Sequence, residues 1–305
     1  MRKLTQIIVA SVVSILISVS ALHAADMADG SYGMPTRVSF GEVEARAGGT
    51  WLGGNEVDGG EDEQMLFGGA ALRAGMVFEN RWIVQGDVFG ELTDSRDDDS
   101  YVYGIGVAAH IARRFDAYLL GVFGGYVHTD QDGDDTDTSG RVFAGLEAQR
   151  YFDDVTLYGQ LGWLGGEWGS DANGKGDDSV SRAIMARAMF RYFVNPSTRL
   201  DASAAGFYGY RDTGFESDTR GGSLTAAIEH QLHDSALSVF SGYELGYYFE
   251  RQEGEPEEVF EHSIWAGLKY RFGVDGTLKQ QDMDRPNLDL PPLLRWLAQT
   301  GGPLG

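Results

Sequence analysis

The chain has 305 residues, a formal net charge of −22 and a pI near 4.5, a balance that excludes nucleic-acid binding, which needs clustered Lys and Arg. It has no cysteine, so it has neither a disulfide framework nor thiol chemistry. Its 43 glycines are twice the usual ~7% and are spread through apolar segments, while aromatic residues reach 12%.

In chain order, Arg2 and Lys3 precede an apolar run at 7–19 and the small-residue site Ala21-Leu22-His23-Ala24. This is the pattern of a secretory signal peptide over 1–24, too short for the roughly 20 residues of a helical span. No other long apolar run follows. Export without a stop-transfer helix leaves the periplasm, the outer membrane or the medium. Residues 25–37 form a short leader.

From Val38 onward one unit recurs. Segments 38–49, 66–78, 82–92, 101–111, 118–126, 142–152, 155–163, 180–192, 200–210, 222–232, 237–249 and 262–272 alternate apolar and polar residues. In the fourth, Tyr101, Tyr103, Ile105, Val107, Ala109 and Ile111 stand against Gly104, Gly106, Ala108 and His110. A period of two is that of a strand with two unlike faces. Short turns such as Glu79-Asn80 and Asp153-Asp154 alternate with longer acidic loops at 55–63, 94–99, 130–137, 170–178, 212–218 and 251–258. The pattern predicts an all-β fold: a closed antiparallel transmembrane β-barrel of about 12 strands over 38–273, with short periplasmic turns and long acidic extracellular loops. Its even strand count puts both ends of the barrel on the short-turn side.

The stretch His262–Phe272, HSIWAGLKYRF, sets Ile264, Ala266, Leu268, Tyr270 and Phe272 against Ser263, Trp265, Gly267, Lys269 and Arg271. It resembles the last strand of Gram-negative outer-membrane β-barrel (porin-like) proteins, whose terminal aromatic serves as an assembly signal. The resemblance implies that Tyr270 and Phe272 are that signal. It also implies the barrel assembly machinery, outer-membrane lipid and lipopolysaccharide as partners, and no cofactor. Here 274–305 follow the strand, where the class usually ends. Twelve strands occur in oligosaccharide channels, the outer-membrane phospholipase and autotransporter translocators. About a dozen residues ahead of the first strand leave no passenger and no plug helix there.

The polar faces assign to the lumen the acids Glu42, Glu44, Asp87, Glu91, Glu147, Asp201, Glu229 and Glu244. They add the bases Arg46, Arg73, Arg141, Arg187, Arg191, Arg199, Lys269 and Arg271. Two readings stand side by side: a mutually neutralising network, because confined charges must be paired, or opposed ladders that orient a solute. Inward Gly104, Gly106, Ala108 and Gly162 are expected to leave room for a pore.

Asp130, Asp132, Asp134 and Asp137 alternate around Gly133 like part of a Ca²⁺ loop, without the full spacing. Ca²⁺ at the outer loops is therefore the one metal expectation, beside that of a solvated acidic loop. His262 and Ser263 are strand neighbours facing opposite ways, so they form no catalytic dyad. Gly174-Lys175-Gly176 lacks the Ser/Thr of a phosphate loop. In the tail, Pro286, Pro291 and Pro292 break strand structure, and 293–298 could form one or two helical turns. The tail is expected either to hang free in the periplasm or to dock at that mouth. The functional expectation is a narrow passive channel with modest cation preference, no enzyme, the alternative being a closed barrel acting through its loops.

Overall fold

The computed structural model describes residues 38–54, 63–95, 101–132, 138–167, 180–212, 216–233, 235–251, 256–273, 276–284 and 288–300. The signal peptide, the leader and part or all of each acidic loop lie outside these residues. Twelve strands form one closed antiparallel barrel: β1 Val38–Gly54, β2 Glu63–Val77, β3 Trp82–Ser95, β4 Tyr101–Arg114, β5 Tyr118–Asp132 and β6 Thr138–Tyr151, then β7 Val155–Glu167, β8 Val180–Asn195, β9 Thr198–Asp212, β10 Glu216–Gln231, β11 Leu237–Arg251 and β12 Pro256–Phe272. Each strand pairs with its chain neighbours, and β1 pairs with β12 from Gly41↔Phe272 to Gly54↔Val259. Closure removes the open edge that would otherwise leave backbone groups unpaired in a bilayer.

The strands have 13–17 residues, longer than the roughly ten a tilted span requires, so they run past the apolar belt. The outer face is most exposed at mid-strand aliphatics, with Leu146 at 62%, Ile184 at 61% and Leu161 at 60%. Exposed Trp82, Tyr118, Tyr192 and Tyr270 sit towards the short-turn end, and Trp51, Tyr101, Trp163 and Phe260 towards the other. An aliphatic band between two aromatic girdles is the surface of a barrel that crosses a bilayer. Closure, strand count and this outer face define the protein's class: an outer-membrane-type β-barrel.

The seam between β1 and β12 shows why the last aromatic matters locally. The Phe272 ring lies over Gly41, where a Cβ would collide with it, so the glycine seats the ring across the strand that closes the barrel. One residue on, Gly273 takes φ 68°, with Ser39 O standing where a Cβ would collide with it, a backbone state glycine adopts without strain. The chain turns there and does not leave the barrel. Helix α1 (Leu278–Asp284) lies across the short-turn mouth, and helix α2 (Leu293–Thr300) lies deeper, within the lumen.

Helix α1 is fixed by a capping box, Thr277-x-x-Gln280: Thr277 N donates to Gln280 Oε1 at 2.9 Å and Gln280 N to Thr277 Oγ1 at 3.4 Å. Gln231 of β10 accepts from Leu278 N and donates to Gly276 O, both at 3.0 Å. Lys279 N donates to Pro196 O in the β8–β9 turn, and Lys279 Nζ pairs with Asp154 at 2.6 Å. The tail therefore does not hang free, and the helix at the mouth is α1, not the 293–298 segment expected there.

Candidate functional site: a charged lumen threaded by the chain's own tail

Beyond α1 the tail touches walls that face one another, which only a segment inside the barrel can do. Leu288 joins Phe40, Ile83, Ala112, Leu119 and Tyr151 in an apolar cluster near the short turns. Gln85 of β3 holds the Leu288 peptide from both sides, accepting from its N–H at 3.1 Å and donating to its C=O at 2.7 Å. The Asp289 carboxylate takes Arg73 of β2 at 3.3 Å and Arg191 of β8 in a shorter contact. In the strand order β2 and β8 stand six positions apart, diametrically opposite. Its carbonyl accepts from Gln160 at 2.7 Å and Tyr158 at 3.1 Å, and the Leu290 carbonyl accepts from Arg187 at 2.7 Å. Every carbonyl from Leu288 to Leu290 thus meets a wall donor, as buried backbone must.

Helix α2 occupies the half of the lumen nearer the long connections. Leu293, Leu294, Trp296 and Leu297 pack among Leu52, Phe123, Met185, Phe207 and Tyr248. Trp296 lies 5.2 Å from Phe207, ring centre to ring centre. From the same helix Arg295 reaches Glu261 at 3.0 Å, Glu244 at 3.1 Å and Glu91 at 3.7 Å. Its guanidinium also stands 4.6 Å from the Phe67 ring, a cation–π contact in a desolvated place.

The sixteen charged residues singled out in the sequence lie on the inner wall and gather into clusters. Arg271 bridges Glu42 at 2.8 Å and Glu229 at 2.6 Å, Lys269 pairs with Glu44 at 3.2 Å, and Arg199 holds Asp201 at 2.9 Å and Glu229 at 3.1 Å. Arg73 takes Asp87 at 2.8 Å and Glu42 at 3.4 Å, while Arg46 takes Glu91 at 2.6 Å. Glu147 pairs with buried His110 at 3.0 Å, and Arg141 donates to Val180 O at 2.7 Å. Glu244 and Arg191 find their nearest opposite charges in the tail, Arg295 for the first and Asp282 at 2.8 Å with Asp289 for the second. Among the described residues Arg187 shows no ion pair of this kind: it donates to the Leu290 carbonyl, and its Nε has no hydrogen-bond partner there. Burial alone would push the Asp289 carboxyl up, but the facing Arg191, Arg73 and Arg187 hold it well below the ordinary carboxylate range.

Sequence reasoning missed Glu261, His110, Gln85, Tyr158, Gln160 and the tail residues Asp282, Asp289 and Arg295. Glu261 was passed over because it precedes the expected strand start at His262, whereas β12 begins at Pro256. The inward glycines do not leave room, contrary to expectation. Gly104 faces Leu294 of α2, Gly106 lies under the Phe89 ring, and Gly162 meets Met185 and Phe123. These positions are small so that large side chains can seat on them. A cavity of about 260 Å³ stays open between the tail and the wall that runs from β8 through β12 and on through β1 to β3, lined by Arg46, Lys269, Asp201 and small residues such as Ser203 and Ser223.

His262 points outward and bonds Tyr243 at 2.6 Å, while Ser263 is buried beside Thr50 at 2.7 Å, so the two share no proton. Asp130 accepts from Tyr103 OH. Asp134 and Asp137 lie outside the described residues, as does 174–176, and of Asp132 only the backbone is described. Among the described residues no group of three or more His, Asp and Glu side chains could hold a metal ion.

No family model matches the chain, and no curated protein does. Among solved structures it is similar to an outer membrane channel from Pseudomonas putida F1, with 14% identity over 80% of this chain and 100% of that one and a TM-score of 0.49. The translocator domain of the autotransporter NalP from Neisseria meningitidis matches 86% of this chain and 98% of its own at 14% identity, TM-score 0.42. The NanC porin matches 75% and 98% at 10% identity, TM-score 0.45.

Proposed function

We propose that the protein is a passive outer-membrane channel for small hydrophilic solutes, not an enzyme, held shut at rest by its own C-terminal segment. The observation that carries this reading is the grip of β2 and β8 on Asp289 from opposite walls. A twelve-strand barrel is wider than the eight-strand type whose interior the wall side chains can fill, so the threaded segment is what closes it. Here the peptide groups of 288–290 and the Asp289 carboxylate meet the wall through ion pairs and hydrogen bonds that water or a polar solute can replace, while the Leu288 side chain sits in an apolar cluster. Burying four apolar side chains of α2 gains about 6–12 kcal/mol, the same order as fixing the segment's backbone costs. The polar grip therefore decides whether the lumen is closed. Loop carboxylates at the outer mouth would add a modest cation preference to the open form.

Conductance in planar bilayers tests the reading with the full chain. The native protein is expected to stay mostly closed, and Arg191→Ala, which removes one ion pair each from Asp289 and Asp282, to give steady openings. If Arg191→Ala inserts as a folded barrel yet conducts no ions, the alternative of a closed barrel acting through its loops takes its place.

A further inference from the structure

The tail does more than block the lumen: it shows what the lumen wall is built to hold. Arg73 and Arg191 converge from opposite strands on one carboxylate. Gln160 and Tyr158 donate to the carbonyl of the same residue, Gln85 donates to the carbonyl before it, and Arg187 to the one after. All six donors belong to the barrel, and the acceptors they answer come from three consecutive tail residues. Without the tail, Arg191 loses both Asp282 and Asp289, and Arg187 loses the Leu290 carbonyl. The wall would then present three guanidiniums to the lumen, with Arg73 still paired to Asp87 and Glu42. Guanidinium forks match a carboxylate in shape and charge and are the side chains suited to hold one where water is scarce.

We infer that this ring of wall donors is a carboxylate-binding constriction, occupied at rest by Asp289 and offered, when the tail is displaced, to small polar carboxylates that carry further carbonyl or hydroxyl oxygens. The inference rests on the channel reading above and names the solute class of that channel; the tail is then a tethered competitor for its own transport site. The loop charges do not oppose it. They act across water and are screened beyond about 8 Å at physiological salt, whereas the constriction touches its guest directly with water excluded.

Chemical rescue in the full chain tests the site. Asp289→Ala removes the side-chain carboxylate and leaves a gap that acetate fits. Backbone hydrogen exchange over 288–300 is expected to rise at least tenfold in this variant. Millimolar acetate should restore protection, and the uncharged isostere acetamide should not. Arg191→Ala added to Asp289→Ala should raise the acetate needed at least tenfold. Asp289→Asn, which keeps the shape, should lose protection but respond little to acetate, because the gap is filled. A folded barrel in each case is checked by its faster migration before boiling. If acetate and acetamide act alike, or acetate acts undiminished without Arg191, there is no carboxylate site. Rescue together with absence of conductance in every variant would keep the site and remove the channel. Conductance without rescue would do the reverse.

Discussion

At the scale of single residues, the interior is governed by which charge answers which across the lumen. Arg295 shows the rule most plainly. Three carboxylates from β3, β11 and β12 converge on it, and its guanidinium lies in contact with Phe67. Removing one member of such a buried set leaves the others uncompensated, at roughly 3–5 kcal/mol. Arg295→Ala is therefore expected to undock α2 while leaving the barrel intact. Exchange over 293–300 measured by mass spectrometry should rise by about two to three orders of magnitude, with the strands unchanged. Unaltered protection would mean that apolar packing alone holds the helix. None of these partnerships could be read from local sequence, because the eight acids and eight bases assigned to the wall balance without the tail. Arg73 and Asp289, 216 residues apart, meet only because the barrel closes and the chain turns inward.

At the scale of elements, the strands were legible and the tail was not, for one physical reason. A strand with lipid on one side and polar lumen on the other prints a period of two into the sequence, and twelve repetitions reinforce it. The tail prints no period. Helix α1 has 7 residues and α2 has 8, too few for a helical repeat to stand out beside three prolines, and the stretch between them is held by its peptide groups, which carry no sequence signature. The available hint was the run Leu293-Leu294-Arg295-Trp296-Leu297, too apolar for an end hanging in water. The seam element has its own prediction. Phe272 packs over Gly41 and closes β1 against β12, so Phe272→Asp is expected to lower the level of barrel in the membrane severalfold. Deleting 274–305, whose described residues belong to no strand, should leave that level nearly unchanged. The reverse result, read by heat-modifiable migration of membrane fractions, would place the closing signal in the tail.

At the scale of the whole molecule, two charge systems of different kinds act in series along one axis. Inside, opposite charges are paired within 4 Å and shielded from salt, so they set fit and not long-range attraction. The long connections, expected at the outer mouth, carry runs such as Asp97-Asp98-Asp99 in the sequence, and the field of such a run in water extends about one Debye length, ~8 Å at physiological salt. The two are separable by experiment because only the second is screened. In a variant opened by Arg191→Ala, reversal potentials across a salt gradient should show a modest cation preference at low salt that fades as salt rises. Neutralising Asp97, Asp98 and Asp99 together should weaken that preference without changing conductance at high salt, where the interior alone sets the flow. An anion preference at low salt would mean that the two arginines left at the constriction, Arg73 and Arg187, outweigh the mouth, and a preference indifferent to salt would remove the loops from the account.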